Sequence, residues 1–174
     1  MESLHWMNGG IPSRPLELAL NQNGLLATDI RKFLCGNSTT FQGIFACNEL
    51  PPKLENKKDF SIVVNLSPIE QNGTHWIAII AKHNLIMYMD SFGLPIFNNY
   101  ILQFVKNCKR KVVYNKQRIQ SYQSVYCGYY TILFIMYYEK LHHFYLNFYH
   151  NEHDLILNDK LCIKYIQQLR EINI

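Results

Sequence analysis

The chain has 174 residues, of which 48% are hydrophobic and 17% are charged. This composition excludes an intrinsically disordered chain, and the length suits one domain that buries its own core. The formal net charge is only +4. The longest uncharged apolar run, residues 125–138, has 14 residues and is too short to span a bilayer, and the first residues lack the pattern of a signal peptide. We expect a soluble, intracellular protein with no membrane partner.

Residues 1–59 are predicted to form short helices separated by turns. Two helices are predicted: residues 15–20, which begin at Pro15 and end before Asn23-Gly24, and residues 29–35, which lie between a capping Thr28 and a closing Gly36. The apolar pieces of FQGIFACNELPP, which follow, are too short to assign to an element.

The pattern changes to strands after residue 59. Residues 60–66, FSIVVNL, are rich in β-branched side chains and are predicted to form a strand. Residues 76–81 and 85–90 are predicted to form a hairpin around the loop at residues 82–84. Both faces of this hairpin are largely apolar, which is typical of strands inside a sheet that is covered on both sides.

Helices alternate with one more strand in the rest of the chain. Asn98 or Asn99 can cap a helix that runs to about Lys111, and residues 112–114 read as a short strand. A long, mostly buried helix is predicted from Cys127 to about His143. The helix capped by Asn98 or Asn99 is predicted to carry an apolar stripe of Tyr100, Phe104 and Cys108. A last helix is predicted to be capped by Asn158. Its apolar stripe consists of Leu161, Tyr165, Ile166, Leu169 and Ile172.

The predicted fold class is therefore α+β, with a central mixed β-sheet packed by helices. We expect one domain over residues 1–174, in which a helical N-terminal part (1–59) precedes the core (60–140) and a C-terminal helical part (141–174). No internal repeat or low-complexity segment divides the chain.

Cysteine and histidine patterns give little support for a metal. The chain has five cysteines, an odd number with no CxxC pair, so neither a disulfide framework nor a zinc knuckle is predicted. His150 and His153, with His142 and His143 nearby, offer an alternative zinc motif, but no well-spaced third or fourth ligand is evident and a solvated loop is preferred. We expect no metal cofactor.

A cluster of basic residues is the strongest charge feature: Lys106, Lys109, Arg110, Lys111, Lys116 and Arg118. Such a run forms either a solvated face or a site for a polyanion such as DNA, and the sequence leaves both open.

The hairpin constrains one pair of polar residues. If its loop holds two or four residues, His75 and Asp90 lie on the same face, opposite each other or one diagonal step apart, at roughly 5–8 Å between backbones. A carboxylate at that distance can orient an imidazole. The alternatives are a three-residue loop, which separates the pair, or residues that merely end the strands.

Cys127 is predicted at the N-terminus of the long helix, where unpaired N–H groups and the helix dipole favour a thiolate. Lowering a cysteine pKa from about 8.5 to about 6 needs roughly 3.4 kcal/mol, and the dipole supplies about 1, so a neighbouring imidazolium must supply the rest. His75 is the candidate. Gly128 would let a substrate carbonyl approach the backbone. A cysteine buried as core material is the alternative.

Two glutamines precede the cysteine in the stretch RIQSYQS. The amide of Gln120 or Gln123 is a suitable donor to an oxyanion, an interaction worth around 3 kcal/mol where such donors have been removed. The alternative is two solvated loop side chains.

Four motifs occur in order: GTHW (73–76), MDSFG (89–93), IQSYQS (119–124) and YCGYY (126–130). Together they resemble the signatures of the adenain-type cysteine proteases. These are the maturation proteases of adenoviruses, with relatives in Polinton-type transposons, virophages and other DNA viruses, and they share a clan with the SUMO-specific proteases. The resemblance covers about residues 60–140.

The resemblance implies a role for each matching residue. Cys127 would be the nucleophile, His75 its general base and acid, Asp90 the residue that orients His75, and Gln120 the side-chain oxyanion donor, with Gln123 as the fallback. Trp76 would pack beside the imidazole. The implied reaction is acyl transfer through a thioester, with no metal or other cofactor required.

The resemblance also implies substrates and partners. Adenain-type enzymes prefer small residues, chiefly Gly, next to the scissile bond. Their resemblance to this chain implies capsid and virion precursors as its substrates. We expect the enzyme to be a monomer. MNGGI near the N-terminus is a candidate self-cleavage site at Gly10 and Ile11, with a Gly-Gly turn as the alternative. The adenoviral enzyme is assisted by a peptide and by DNA, and the basic cluster could serve the second role.

Two rival functions remain at this stage. The first is a protease for SUMO or a related modifier, although the short chain leaves little room for an extended modifier-binding surface. The second is an inactive, basic virion protein that binds DNA and retains the fold.

Overall fold

The computed structural model describes residues 24–52, 54, 59–140 and 154–171. Several sequence predictions lie outside these ranges: the helix at residues 15–20, the MNGGI segment, the four histidines of the alternative zinc motif, and Ile172.

A five-stranded mixed sheet forms the centre of the fold, in the order β1-β2-β3-β4-β5. The strands are β1 (Phe41–Ala46), β2 (Phe60–Asn65), β3 (Trp76–Lys82), β4 (Leu85–Met89) and β5 (Lys111–Tyr114). The two inner pairings are antiparallel, whereas each edge strand runs parallel to its neighbour. With the helices around it, this sheet confirms the predicted α+β class.

Within the described ranges, four helices accompany the sheet: α1 (Ala27–Asn37), α2 (Asn99–Asn107), α3 (Cys127–Lys140) and α4 (Leu155–Glu171). A short 3₁₀ turn, Cys47–Glu49, follows β1. In the part of the chain that the structure describes, no helix combines the length and apolarity needed to cross a membrane.

Both faces of the sheet are covered, as the apolar hairpin predicts. Because side chains alternate along a strand, Val63 and Ala78 face a core built with α1, α3 and α4, whereas Ile62 and Ile79 face a second core that contains α2. All six residues of β2 are buried. The sheet is therefore the rigid layer on which the loops of the site are mounted.

The N-terminal part is not wholly helical, contrary to the prediction. Residues 41–46 form β1, which pairs in parallel with β2; this edge strand takes its order from tertiary pairing, so its short apolar pieces gave no clear local signal. The helix predicted at residues 29–35 exists as α1, but it begins earlier and ends later than predicted. Thr28 and Gly36 lie inside α1, and the Asp29 carboxylate accepts from the Leu26 N–H at 3.1 Å.

The predicted cap of α2 is confirmed, but its end and stripe were wrong. Asn98 Oδ1 accepts from the N–H groups of Tyr100 and Ile101 at 3.0 and 3.3 Å. The helix ends at Asn107, four residues early, because Lys109 turns the chain with φ +52° into β5. Tyr100 is 56% exposed. The buried positions are Ile101, Phe104 and Val105.

The last helix begins earlier than predicted. Leu157 N–H donates to Asp154 Oδ1 at 2.8 Å, so Asp154 is the cap. Asn158 lies inside α4 and is fully buried. The predicted apolar stripe is confirmed within the described residues, since Leu161, Tyr165, Ile166 and Leu169 belong to the core against α3.

Candidate active site

The β3–β4 hairpin brings His75 and Asp90 together. Its turn has two residues, His83 and Asn84, and its register pairs Lys82 with Leu85. This is one of the loop lengths that places His75 and Asp90 on the same face. His75 Nε2 lies 2.8 Å from Asp90 Oδ1. The predicted proximity is confirmed.

Asp90 is fully buried and held on several sides. Its Oδ1 also accepts from the Phe92 N–H at 2.8 Å, which forms a tight turn after β4. The Asn115 side chain accepts from the Asp90 N–H at 2.8 Å and donates to the Asp90 carbonyl. Asn115 directly follows β5, so its amide continues the β4–β5 pairing by one step. The carboxylate position is thereby fixed by the sheet.

A glycine turn carries the chain from Asp90 toward the next loop of the site. Gly93 has φ +68°, and a Cβ there would lie 2.5 Å from the Gln117 carbonyl carbon. Only glycine fits a positive φ with a backbone this close. The segment after Asp90 can therefore lie directly on the chain that leads to Gln120.

Cys127 is the first residue of α3, and its side chain is partly exposed. The imidazole of His75 is hydrogen-bonded to Asp90, and the Cys127 side chain lies close enough to raise the pKa of His75. Because Nε2 contacts the carboxylate, Nδ1 is the ring nitrogen left for a second partner. The imidazole therefore lies between a buried acid and a sulfur at a helix N-terminus.

The protonation of His75 follows from these neighbours. Burial alone lowers the pKa of His75, but the hydrogen bonds and charges of Asp90 and Cys127 outweigh burial and raise the pKa to about 9. The side chain is only 10% exposed. An imidazolium is thus favoured at neutral pH, and it can stabilise a thiolate on the nearby Cys127.

The ring that stacks on His75 is Phe92, not the expected Trp76. Phe92 and His75 have ring centroids 4.7 Å apart and planes 20° apart. The Arg118 guanidinium lies 5.0 Å from the centroid of the Phe92 ring and 3.4 Å from that of the exposed Tyr122. Trp76 instead donates through Nε1 to the Leu25 carbonyl at 3.1 Å.

Gln120 is buried and hydrogen-bonded at both ends of its amide. Its Oε1 accepts from Ser91 Oγ at 2.5 Å, and its Nε2 donates to the Ser124 carbonyl at 2.9 Å. These contacts assign the amide orientation, and one of the two N–H bonds on Nε2 remains for another acceptor. Gln120 lines the same cleft as His75 and Cys127, whereas Gln123 is exposed and does not line it.

Glycine is required at position 128 for a different reason from the one predicted. A Cβ at this position would lie 3.0 Å from Leu25 Cβ and 3.2 Å from Ile30 Cδ1, and Gly128 does not line the cleft. The glycine therefore permits α1 to pack against the start of α3, and the expectation that it makes room for a substrate is not supported.

A cleft of about 590 Å³ runs past these groups. Cys127, His75 and Gln120 line it, and its rim includes the exposed side chains of Leu26 and Ile69. A thiol, an imidazole, a buried carboxylate and an amide donor around one cleft are the groups required for acyl transfer to sulfur. The fold and this arrangement define the class of the protein as a cysteine peptidase.

The comparison with protein families gives the same class. Residues 41–160 match the adenovirus endoprotease family, which is more than half of the chain. The chain belongs to this family and is a viral-type cysteine peptidase whose substrates are proteins. No curated protein matches it.

The basic cluster is divided in the structure. Arg110 and Arg118 are half-buried and stack on aromatic rings, those of Phe60 and Phe92. The four lysines, in contrast, are exposed: Lys106, Lys109, Lys111 and Lys116. The cluster therefore contributes both packing and surface charge.

Three supporting residues escaped the sequence analysis: Ser91, Phe92 and Asn115. Ser91 and Phe92 stand inside the motif MDSFG, so their position next to Asp90 was a usable signal. Asn115 carried none, because its role depends on the parallel pairing of β4 with β5. That pairing is not visible in the local sequence.

Proposed function

We propose that this chain is the maturation protease of a DNA virus, virophage or Polinton-like element and cleaves capsid or virion precursors next to glycine. The family membership and the cleft support a peptidase. The single observation that carries the proposed catalytic assignment is His75, which is hydrogen-bonded to the buried Asp90 and lines the same cleft as Cys127, whose side chain helps to raise the pKa of His75.

In the proposed reaction the Cys127 thiolate attacks the scissile carbonyl carbon. The resulting oxyanion accepts from the N–H of Cys127, which begins α3, and from the Gln120 amide. His75 then gives its proton to the departing amine, and the acyl group remains on sulfur as a thioester. Water, deprotonated by His75, attacks the thioester and releases the acid and the thiol. Asp90 keeps the imidazole oriented throughout.

The test uses a peptide chloromethyl ketone whose last residues are Gly-Gly; the thiolate displaces chloride to give a stable thioether, which mass spectrometry locates. We expect Cys127 to be modified at neutral pH in the wild type and much more slowly in His75→Ala. Cys35, which is also exposed, is the internal control and should react equally in both. Equal labelling of Cys127 in the two proteins would contradict the assignment.

The substrate class is tested by the choice of peptide and precursor. A maturation protease should cleave Gly-containing capsid precursors and leave SUMO or ubiquitin-like precursors intact. Cleavage of the modifier precursors alone would favour the rival modifier protease. No cleavage of either, with an unreactive Cys127, would favour an inactive virion protein.

Self-cleavage at Gly10-Ile11 follows from the same preference for glycine. We expect the wild type to lose its first ten residues on prolonged incubation at high concentration, whereas Cys127→Ala keeps them. Mass spectrometry of both proteins decides, and an unchanged wild-type mass rejects this site.

DNA or a peptide is proposed as an activator, and no metal is required. The exposed lysines at 106, 109, 111 and 116 would contact DNA phosphates, so binding should weaken steeply as salt rises. Fluorescence anisotropy with duplex DNA should show a smaller salt slope after Lys109→Ala and Lys111→Ala. A flat salt response would reject DNA contact. We propose that the monomer acts in the infected cell and in the virion.

A further inference from the structure

A buried carboxylate outside the proposed catalytic groups lies against the loop that carries Gln120. Asp159, on α4, is only 5% exposed. Its Oδ2 accepts from Ser121 Oγ at 2.5 Å, and its Oδ1 accepts from Tyr130 OH at 2.9 Å and from the Ser121 N–H at 3.5 Å. One side chain of α4 is thus joined both to α3 and to the residue directly after Gln120.

Burying a charged carboxylate is costly unless several donors compensate it. Asp159 has these donors, and its neighbours remain uncharged: burial raises the pKa of Tyr130, and burial together with Asp159 raises the pKa of Cys162. Tyr130 therefore stays a hydrogen-bond donor at neutral pH. A buried polar group with satisfied partners specifies one arrangement of the segments that it joins.

The segment around Gln120 is held from two opposite directions. On the sheet side, the N–H groups of Ile119 and Gln120 both donate to the Ser91 carbonyl, at 2.9 and 3.1 Å. On the helix side, Asp159 binds Ser121, while Tyr130 OH also approaches the Ile119 carbonyl at 3.0 Å. Release of either side would let the backbone of Gln120 move relative to Cys127.

We propose that Asp159 and Ser121 are positioning residues that fix Gln120 against the oxyanion site, so that α4 takes part in catalysis without touching the substrate. This inference rests on the proposed role of Gln120 as the oxyanion donor. A loss of this contact would weaken stabilisation of the tetrahedral state and leave the thiolate intact.

The test compares Ser121→Ala with Thr131→Val. Both remove a single hydroxyl, and the Thr131 hydroxyl donates to the Gly128 carbonyl at 2.7 Å inside α3, whereas the hydrogen bonds of the Asp159 carboxylate among the described residues go to Ser121 and Tyr130. For Ser121→Ala we expect kcat to fall about 10-fold, the size expected for one hydrogen bond to a charged group, with KM within about twofold. Thr131→Val should keep kcat near the wild-type value.

Two further measurements separate positioning from structural damage. Alkylation of Cys127 by iodoacetamide needs a thiolate but no oxyanion donor, so its rate should be unchanged in Ser121→Ala. The affinity for a peptide aldehyde, whose adduct is tetrahedral, should fall by about the same factor as kcat. In a Gln120→Ala background, Ser121→Ala should have little additional effect on kcat.

Each alternative result contradicts one specific statement. An unchanged kcat in folded Ser121→Ala, or full additivity with Gln120→Ala, overturns the positioning role. Equal losses in alkylation and kcat also overturn it, because they show general damage to the site. If Gln120→Ala itself keeps full kcat, the proposed oxyanion donor fails. If wild-type Cys127 resists iodoacetamide at neutral pH, the proposed nucleophile fails.

Asp159→Asn is the companion variant. One carboxylate oxygen becomes an N–H₂ group and then faces a hydroxyl that also donates, either Ser121 or Tyr130. We expect the same kcat loss as in Ser121→Ala together with a lower melting temperature. If this variant does not fold, the Ser121→Ala measurements alone decide the proposal.

Discussion

The two polar parts of the site are held in different ways. His75 and Asp90 flank the strands of one hairpin, and the backbone pairing of β3 with β4 fixes their separation. Gln120 lies in a loop without regular structure and is held by individual hydrogen bonds from three other places: Ser91, the Ser124 carbonyl and, through Ser121, Asp159.

This difference has an energetic consequence. A hairpin register changes only if many backbone hydrogen bonds break together, so a single substitution seldom displaces His75 from Asp90. A loop held by individual side-chain hydrogen bonds loses about 1 kcal/mol of anchoring with each one removed. We therefore expect the contact between His75 and Asp90 to be lost only when one of these two residues is changed. The position of the Gln120 amide should instead become less fixed with each hydrogen bond that is removed.

Asp90→Ala gives the largest effect among these predictions. We expect kcat/KM to fall about 10³-fold, because general acid–base catalysis contributes 10²–10⁴-fold and an unoriented imidazole loses most of it. Asp90→Asn should lose less, since an amide oxygen can still accept from Nε2–H but carries no charge. Steady-state cleavage of a Gly-Gly peptide measures both. Equal losses in the two variants would show that the negative charge of Asp90 matters and that the hydrogen bond orienting His75 does not.

Gln120→Ala is expected to lower kcat about 10²-fold with little change in KM, the effect typical of removing one oxyanion donor. Gln123→Ala is the control, because Gln123 lies in the same loop but is exposed to solvent, and it should leave kcat unchanged. A larger loss in Gln123→Ala than in Gln120→Ala would reverse the assignment of the donor.

Ser91→Ala tests the sheet side of the loop. The hydroxyl of Ser91 donates to Gln120 Oε1, so its removal should lower kcat about 10-fold, consistent with one buried hydrogen bond. Ser61→Ala is the matched control, because Ser61 is equally buried in the sheet and its hydroxyl contacts only Thr40 among the described residues. Similar kcat values in the two variants would mean that Ser91 does not position Gln120.

The pH dependence of stability gives the smallest effect, a shift of a few degrees in melting temperature. The folded-state pKa of His75 is raised to about 9, above the ordinary value near 6.5. Its contribution is therefore fully present below about pH 6.5 and is lost as the pH rises through about 9. The difference in melting temperature between wild type and His75→Gln should shrink over this interval. A difference that grows with pH would contradict the raised pKa.

The parts of the site that sequence predicted best are those set by local periodicity. His75 and Asp90 could be placed on one face because successive side chains of a strand point to opposite faces. Cys127 could be placed at a helix N-terminus because an apolar run begins there. The contacts of Ser91, Asn115 and Asp159 could not be predicted, since each joins elements that are distant in the sequence. For the same reason β1 was missed: its order comes from pairing with β2 rather than from its own residues.

The position of Asp159 in the chain has a consequence for biosynthesis. A ribosome adds residues from the N-terminus onward, so the nascent polypeptide contains its cysteine, histidine and aspartate before α4 is made. The loop that carries Gln120, the proposed oxyanion donor, gains its second anchor only when that helix emerges and docks. Cys127, His75 and Asp90 would therefore all be present in the chain before the loop that carries Gln120 is held from both sides.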